Sequence, residues 1–370
     1  MKILFINSVC GIRSTGRIVT DLAEYYTAQG NEVKIAYGRE TVPEKYYKIS
    51  YRIGTDFDVK VNAIKARLCD NEGFNAERQT NEFVKWADNY NPDLVWLHNL
   101  HGYYINIEQL FRWIKTRPHM EVRWTLHDCW AFTGHCSHFS YLKCERWKEN
   151  CFQCPQKKEY PKGLFLDNSV ENYRRKKKAF CGVENMTVIT PSKWLADLVK
   201  QSFLKDYPVE VVHNTIDTVV FRPTPSDFRE HYELQDKKIV LGVASSWCER
   251  KGMYDFFKLS ELLDVSFRIV MIGLTGEQIK NLPSSIIGIE RTNNSSQLAE
   301  IYTAADVFVN LTYEDNYPTV NLEAQACGTP CITYRTGGSV ESVPEDNIVE
   351  QGDLNALVSK IQEICLKGKI

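Results

Sequence analysis

Two carboxylates eight residues apart flank a proline in the C-terminal half of this sequence. Asp315 and Glu323 stand on either side of Pro318, and a short apolar run ends at Asn310 just before them. Because proline suits the first turn of a helix, the backbone N–H groups from Thr319 onwards are predicted to be donors at a helix N-terminus. Such an end carries about half a positive charge and suits a phosphate group, and carboxylate oxygens accept hydrogen bonds from sugar or ribose hydroxyls. A helix cap with a solvent-facing glutamate is the alternative on these residues alone.

Two glycine-containing motifs lie in the same half of the chain. Lys251 precedes Gly252 shortly after one apolar run, and the pair Gly337-Gly338 follows another. Glycine permits the backbone to approach a ligand closely. By itself, a lysine before a glycine at this place is also typical of a solvated loop.

Histidines follow two neighbouring apolar runs of the N-terminal half. His98 and His101 come after the first run, and His127 with Asp128 after the second. A histidine just beyond a parallel strand lies at the ligand-facing edge of its sheet, and Asp128 is placed to orient the imidazole of His127. A structural role in the core is the alternative for each histidine.

The apolar pattern supplies the elements that position these residues. Short apolar runs alternate with longer amphipathic ones, which indicates parallel sheets covered by helices on both faces. The predicted strands are Lys2–Asn7, Glu32–Tyr37, Leu94–His98, Val122–His127, Met186–Thr190, Val209–His213, Ile239–Ala244, Phe267–Gly273, Ile287–Glu290, Val307–Asn310 and Pro330–Tyr334. The predicted helices include Gly16–Gln29, Ser192–Phe203, Gln297–Ala304, Asn321–Cys327 and Leu354–Leu366.

A proline-containing segment divides this alternation into two halves. Phe221–Ser226 has the composition of a linker. We therefore predict an α/β fold with two doubly wound, Rossmann-like domains, residues 1–217 and 218–355, facing each other across a cleft. A last helix within residues 356–370 is predicted to return towards the N-terminal domain. Ligands of such sheets bind beyond the carboxyl ends of the strands, so the cleft is the predicted active site.

The stretch from Glu314 to Gly338 resembles the donor site of glycosyltransferase family 4, which has the GT-B fold. Within that family it is most similar to enzymes of capsular polysaccharide and colanic acid synthesis, and the resemblance extends over almost the whole chain. It implies that Glu323 binds the donor ribose, and that Asp315 and the amides after it hold the sugar and the diphosphate. The residues implied in donor binding in this stretch are Asp315, Asn316, Tyr317, Pro318, Thr319 and Glu323.

The same resemblance assigns a second group of donor residues. The family places a lysine before a glycine to neutralise the diphosphate leaving group, and Lys251 matches it. The family usually has an arginine five or six residues earlier, where this chain has Ser245 and Ser246, which leaves Arg250 to supply that charge. The loop that contains Asn293 stands where the nucleotide base packs in the family.

The N-terminal half carries the remaining implied residues. The loop after the first strand lacks the GxGxxG pattern of a nicotinamide site. In the family the equivalent loop covers the donor diphosphate, which implies that role for Gly16 and Arg17, although an ordinary strand–helix turn is the alternative. His127 matches the family's histidine near the reaction centre. The implied catalytic residues are His127, Asp128, Lys251 and Asp315.

A cysteine-rich insertion is predicted at about residues 134–160. Its four cysteines are Cys136, Cys144, Cys151 and Cys154, and only one Cys-x-x-Cys pair occurs among them. A structural zinc ion held by four thiolates would fold such a loop, while reduced free thiols and disulfides are the alternatives. No metal or other cofactor is expected for catalysis.

One strongly basic run, Arg174–Lys178, interrupts an otherwise balanced composition. It is either a solvated helix face or a peripheral contact with anionic lipid head groups. The net charge of −2 over 370 residues gives no support to nucleic-acid binding. The short apolar N-terminus is expected to be a buried strand rather than a signal peptide, which predicts a cytoplasmic protein, at the inner face of the cytoplasmic membrane if the basic run binds lipid.

These features together predict a retaining, metal-independent glycosyltransferase of bacterial surface polysaccharide synthesis. The resemblance implies a nucleotide-diphosphate sugar donor, with uridine as the expected base, and a glycan or polyprenyl-diphosphate-linked acceptor. Two alternatives stay open. A nucleotide-sugar epimerase on the same fold would convert the donor without an acceptor, and a zinc-stabilised sugar-nucleotide-binding protein would bind the donor without turnover.

Overall fold

The computed structural model describes residues 1–367 and divides into two compact units, Met1–His213 and Asn214–Ile370. The boundary falls four residues before the predicted one, at the start of the segment that leads into the predicted linker. Within residues 1–367, none of the helices has the length and hydropathy that crossing a bilayer requires.

The first unit is built on a seven-stranded sheet in which every neighbouring pair is parallel. Its strand order is β3-β2-β1-β4-β5-β6-β7, so the order of the strands reverses between β1 and β4. The strands are β1 Lys2–Asn7, β2 Glu32–Tyr37, β3 Ser50–Arg52, β4 Leu94–Leu97, β5 Glu121–Thr125, β6 Met186–Thr190 and β7 Val209–Val211.

Helices cover both faces of this sheet because alternate residues of its buried strands point to opposite sides. Leu4 and Ile6 of β1 pack into one hydrophobic cluster, and Ile3 and Phe5 pack into another. The helices are α1 Arg13–Ala28, α2 Asp56–Cys69, α3 Glu77–Tyr90, α4 Ile107–Lys115, α5 Ser169–Phe180 and α6 Lys193–Gln201. Between β5 and α5 the chain forms an irregular insertion with three short 3₁₀ turns.

The second unit has a six-stranded parallel sheet in the order β10-β9-β8-β11-β12-β13. Its strands are β8 Lys238–Val243, β9 Phe267–Ile272, β10 Ile286–Ile289, β11 Val307–Asn310, β12 Cys331–Tyr334 and β13 Ile348–Val349. Its helices are α7 Phe228–His231, α8 Met253–Leu262, α9 Gly276–Lys280, α10 Ser295–Ala304, α11 Thr319–Ala326 and α12 Leu354–Lys367. As in the first unit, hydrophobic clusters lie on both faces of the sheet.

The predicted α/β class with two doubly wound parallel sheets is confirmed. The last helix, α12, belongs to the second unit, where Leu357 and Ile361 are buried in one hydrophobic cluster with Phe256 and Leu259 of α8, and its return towards the N-terminal domain stays a prediction. These apolar residues recur at helical spacing and match the face of α8, so the helix covers its own sheet. Residues 368–370 of the predicted tail lie outside the described part of the chain.

Candidate functional site

The strand order of the second unit defines where a ligand is expected. β8 and β11 are neighbours in the sheet, and the order of strands reverses between them. In open α/β sheets the crevice beyond the carboxyl ends of two such strands is the common ligand site. The loop after β8 carries Lys251, and the loop after β11 carries Asp315, so both predicted residues reach this crevice.

The two loops are joined by charge and by backbone contacts. Lys251 Nζ lies 2.5 Å from Asp315 Oδ2, and both side chains are about four-fifths buried. Arg250 Nη1 donates to the carbonyl of Glu314 at 2.7 Å, and the Arg250 carbonyl accepts from Tyr313 N–H at 2.7 Å. Arg250 therefore ties the β8 loop to the β11 loop through its side chain and its backbone.

Two glycines allow these loops to pack against each other. Gly252 has φ +74°, and a Cβ placed there would lie 2.1 Å from the carbonyl oxygen of Leu311. Gly337 has φ +47°, and a Cβ there would lie 2.2 Å from the carbonyl oxygen of Asp315. Any larger residue would push the loops apart, because both the left-handed backbone and the short approach exclude a side chain. The positions of Lys251 and Asp315 thus depend on glycine at both places.

Helix α11 begins at Thr319, directly after Pro318, where the sequence predicts its start within two residues. Its N-cap residue, Pro318, makes no side-chain capping hydrogen bond. Asp315 Oδ1 accepts from Asn316 N–H at 2.9 Å, and the carbonyl of Tyr317 accepts from the amide of Asn214 at 2.9 Å. These contacts fix the loop that delivers the helix end to the crevice, and the first-turn amides supply the partial positive charge of a helix N-terminus.

Glu323 lies one turn into α11 and is 7% exposed. Its Oε2 accepts a hydrogen bond from the hydroxyl of Tyr302 at 3.1 Å, and burial raises the pKa of Tyr302 well above its usual value, so this tyrosine stays a donor. Asn321, on the same helix, is fully buried and binds Asn310 and Ser342. The helix is therefore fixed in rotation, with the Glu323 carboxylate held on one side by Tyr302.

The predicted base-packing residue Asn293 and the place of the family's missing arginine are both on exposed loops. Asn293 is exposed, its N–H donates to Gln297 Oε1 at 2.7 Å, and its loop follows β10, at the edge of the sheet and two strands from β8. Ser245 and Ser246, at the place of the family's arginine, are exposed. The guanidinium that is predicted to replace that arginine, on Arg250, is engaged with the Glu314 carbonyl.

The predicted start of α1 is corrected by three residues. The helix begins at Arg13, so Gly16 lies inside its first turns rather than in a loop. Gly16 is buried, and a Cβ there would lie 3.1 Å from Val9 Cγ2. The glycine is therefore explained by close packing of the helix on the preceding loop, while Arg17 is exposed on the helix surface.

Two histidines meet at the carboxyl ends of β4 and β5. His98 Nδ1 lies 3.0 Å from His127 Nε2, and their rings stack with centroids 5.3 Å apart. Burial lowers the pKa of His127 to about 4 and the pKa of His98 well below its usual value, so both imidazoles are neutral at pH 7. One ring nitrogen of the pair donates a proton and the other accepts it.

Asp128 contacts His101. The sequence places His101 at the carboxyl end of its strand but predicts no partner for it. Asp128 Oδ2 lies 2.9 Å from His101 Nε2, and His101 Nδ1 lies 2.8 Å from the hydroxyl of Tyr160 in the insertion. Burial opposes ionisation of Asp128, but the charge of His101 and its hydrogen bond outweigh burial and hold the pKa of Asp128 below its usual range. The imidazole of His101 therefore bridges the Asp128 carboxylate, through Nε2, and the Tyr160 hydroxyl, through Nδ1.

A buried glutamate braces the loop that carries His101. Glu72 Oε1 accepts from Gly102 N–H at 2.6 Å and from Tyr103 N–H at 2.9 Å. Burial raises the pKa of Glu72, and these two backbone donors partly offset that rise. Glu72 thus fixes the backbone next to His101, while Tyr160 of the insertion contacts its side chain.

The cysteines of the insertion lie in or against one hydrophobic cluster of the first unit. All twelve cysteines of the chain are free thiols, and within residues 1–367 no three His, Cys, Asp or Glu side chains are arranged to hold a metal ion. Cys136 donates a hydrogen bond to Cys154, which lowers the pKa of Cys154, and Cys151 Sγ accepts from Gly134 N–H at 3.1 Å. Cys144 is only half-buried. Structural zinc stays a prediction that rests on the number and spacing of the cysteines.

The basic run Arg174–Lys178 does not form one continuous charged face, and its contact with anionic lipid stays a prediction. Arg175 pairs with both oxygens of Glu108, at 2.9 and 2.7 Å. Lys176 is 1% exposed, donates to the Trp130 carbonyl at 2.8 Å and lies over the Trp130 ring, and burial lowers its pKa to about 7. The run lies in α5, whose buried face includes position 176. Two of the five cations are therefore structural.

Sequence reasoning missed two tyrosines of the site. Tyr302 lies 21 residues before its partner Glu323, and Tyr160 lies 59 residues after its partner His101. Neither tyrosine belongs to a motif, and only the fold brings the partners together. A polar tip on an otherwise buried aromatic residue, as at Tyr302, is the one general signal that a partner is required.

Comparison with known proteins places the two units in related families. The family described as "Glycosyltransferase Family 4" matches residues 15–220, more than half of the chain, and the family "Glycosyl transferases group 1" matches residues 237–366. The chain is 24% identical over 256 residues to the glycosyl transferase WcaC of Escherichia coli strain K12, named for colanic acid biosynthesis, covering 68% of this chain and 62% of WcaC. It is 23% identical over 147 residues to the capsular polysaccharide biosynthesis glycosyltransferase CapM of Staphylococcus aureus, covering 36% and 39% of the two chains. The chain thus spans about six-tenths of WcaC and less of CapM.

Solved structures share the fold over nearly the whole chain. Sucrose-phosphate synthase of Thermosynechococcus elongatus has a TM-score of 0.70 at 17% identity, covering 99% of this chain and 90% of that one. HepE of Anabaena in complex with UDP has a TM-score of 0.65 at 14% identity, with the same coverage. These likenesses confirm the predicted GT-B fold.

Proposed function

The chain belongs to glycosyltransferase family 4, and from that premise we propose that it transfers a sugar from a nucleotide-diphosphate donor to an acceptor in surface polysaccharide synthesis. The observation that carries the proposal is the Lys251–Asp315 pair beside the N-terminus of α11, at the strand reversal of the second sheet. The capsular and colanic acid relatives support the choice of pathway class. The complex of HepE with UDP supports uridine as the base.

In the proposed donor complex, the diphosphate lies against the first-turn amides of α11. Lys251 and the helix dipole stabilise the negative charge that develops on the leaving diphosphate as the bond between the anomeric carbon and the diphosphate oxygen breaks. The oxygen of the acceptor hydroxyl forms the new bond to that carbon. Glu323, positioned by Tyr302, accepts hydrogen bonds from the ribose hydroxyls. Asp315 exchanges its contact with Lys251 for a hydroxyl of the sugar. Fixed cations and dipoles supply this stabilisation, and we propose that the transfer proceeds without a metal and with retention of the anomeric configuration.

In the proposed acceptor site, the edge of the first sheet presents neutral hydrogen-bonding groups. The acceptor is a glycan or a polyprenyl-diphosphate-linked sugar. The Asp128–His101–Tyr160 chain holds the Tyr160 hydroxyl in place for a hydrogen bond with a sugar hydroxyl, and this tyrosine is 41% exposed. The His98–His127 pair supplies a second neutral group at the same edge.

Replacing Tyr160 with phenylalanine is expected to raise the KM for the acceptor about tenfold, because one hydrogen bond to a sugar hydroxyl is lost. The KM for the donor and the slow hydrolysis of the donor are expected to stay at the wild-type values. Initial rates at varied acceptor and fixed donor concentrations measure the effect. Tyr254→Phe, which removes the hydroxyl of an exposed tyrosine in α8, is the matched control. An unchanged acceptor KM in Tyr160→Phe would remove this tyrosine from the acceptor site.

A panel of UDP- and GDP-sugars tests the proposed function as a whole. The donor is expected to raise the thermal unfolding temperature and to be hydrolysed slowly in the absence of acceptor, with release of free sugar and nucleoside diphosphate. Formation of an epimeric nucleotide sugar without acceptor would point to an epimerase instead. Stabilisation by a nucleotide sugar with neither hydrolysis nor transfer to any glycan would identify a binding protein.

A further inference from the structure

Helix α2 carries an apolar stripe on the side that faces away from the core. Phe57, Ile64 and Leu68 are 73%, 58% and 43% exposed. At about 100° per residue, these three side chains project within roughly 40° of one another. The opposite face of the helix is the one that packs on the unit, where Asn62 and Ala66 are buried. The helix therefore exposes large apolar side chains on its outer face, where a surface helix normally carries polar residues.

The insertion extends this apolar surface at the C-terminal end of α2. The consecutive residues Leu164, Phe165 and Leu166 are 47%, 73% and 56% exposed. Leu164 N–H donates to the carbonyl of Arg67 at 2.8 Å, so this segment is joined to the last turn of the helix. Lys157 Nζ donates to the carbonyl of Phe165 at 3.2 Å and fixes the segment from the other side. Six exposed apolar side chains on one helix face and on the segment joined to its last turn are unusual for a surface that meets only water.

Exposed cations border the apolar patch. Lys60 and Lys65 are exposed and project roughly 60–80° to either side of the α2 stripe. Lys158 and Lys162, in the insertion, are exposed as well. None of these four lysines forms an ion pair with another residue in the described range 1–367. The two carboxylates of the first turn of α2 are neutralised locally, Asp56 by Arg52 and Asp58 by Arg78.

From this combination we infer that the α2–insertion surface, formed by Phe57, Ile64, Leu68, Leu164, Phe165 and Leu166, docks the protein on a bilayer that contains anionic phospholipid. Apolar side chains that enter the acyl boundary, with lysines at the level of the head groups, are the two components of an interfacial membrane contact. The basic run of α5 offers cations but no apolar side chains to a bilayer, because no large apolar residue between 169 and 183 is exposed. The inference rests on the proposed function, because a contact with the bilayer suits a lipid-linked acceptor.

Vesicle binding of the full chain, measured without any nucleotide sugar, tests the inference separately from the proposed activity. Wild type is expected to co-sediment with phosphatidylcholine vesicles that contain about one-third phosphatidylglycerol, and to bind pure phosphatidylcholine much more weakly. The triple variant Phe57→Ser, Ile64→Ser and Phe165→Ser is expected to bind the anionic vesicles about tenfold more weakly. A second variant, Lys60→Gln, Lys65→Gln and Lys162→Gln, is expected to lose most of the preference for anionic lipid and its dependence on salt.

The matched control removes equally exposed apolar side chains elsewhere. Val219→Ser with Val265→Ser changes two residues that are 75% and 87% exposed in the second unit, and wild-type vesicle binding is expected. The variant Arg174→Ala, Lys177→Ala and Lys178→Ala is expected to bind as well as wild type. Thermal unfolding verifies that each variant is folded. The inference is overturned if wild type binds no vesicles, if the α5 variant alone loses binding, or if the apolar variant binds normally. It is also overturned if wild type is a dimer that the apolar substitutions dissociate, since a second copy then covers the patch.

Discussion

Lys251→Ala is expected to lower kcat for sugar transfer by about two to three orders of magnitude, the usual cost of removing one fixed group that stabilises a developing negative charge. The ammonium group lies 2.5 Å from Asp315 Oδ2 in a site where its side chain is 22% exposed, so water screens its charge poorly. The adjacent cation, Arg250, is not placed to substitute for it, because its guanidinium is held by the Glu314 carbonyl. Initial rates at saturating donor and acceptor measure the loss.

Lys280→Ala is the matched control for this prediction. It removes the same charge from an exposed lysine at the end of α9 in the same unit, and wild-type rates are expected. The unfolding temperature of Lys251→Ala is to be measured as well, because Asp315 loses its partner. A fold-competent Lys251→Ala enzyme with a kcat within a few-fold of wild type would contradict the assignment of the leaving-group site.

Glu323→Gln is expected to weaken binding of the donor about tenfold to a hundredfold, because a hydrogen bond to a charged group contributes about 1.5–3 kcal/mol. The substitution keeps the size of the side chain at a position that is 7% exposed, so the packing of α11 is retained. The nucleoside diphosphate without its sugar is expected to lose the same factor, since the proposed partner is the ribose. Titration calorimetry with both ligands measures this.

In the same assay, Tyr302→Phe tests how much the positioning of Glu323 by Tyr302 contributes to donor binding, apart from the contact that Glu323 itself makes. It removes the hydroxyl that donates to Glu323 Oε2 at 3.1 Å, and a loss smaller than that of Glu323→Gln is expected. Glu277→Gln, at an exposed position of α9, is the matched control with no expected effect. If Glu323→Gln weakened binding of the nucleotide sugar but left that of the nucleoside diphosphate unchanged, the carboxylate would contact the sugar rather than the ribose.

The buried strands of this chain are the elements that its sequence predicts best. β1, β2, β6 and β11 have the predicted bounds, because each is a short apolar run whose two faces are both covered. The ends of the helices that cover the sheet are harder to predict from sequence, because they depend on tertiary contacts. α1 illustrates this, since its buried Gly16 looks like a helix start and is instead a packing position.

The candidate site is predictable where it is local in sequence and not where it depends on the fold. Asp315, Pro318 and Glu323 lie within one loop and one helix, so their spacing predicts that they stand together at one helix N-terminus. The contact between Tyr160 and His101 joins the insertion to the sheet across 59 residues, and no periodic pattern encodes it. The burial of Lys176 is also hidden, because in sequence it stands among four other cations.

The contact between Lys251 and Asp315 also sets what can compete for the lysine. Any anion that reaches the ammonium group has to displace a carboxylate that is already in contact with it. Chloride or a simple phosphate ester offers little in exchange, whereas a pyrophosphate attached to a sugar offers charge to the lysine and a hydroxyl to the released aspartate. In the proposed donor site, the pair is therefore expected to bind a nucleotide-diphosphate sugar in preference to small anions.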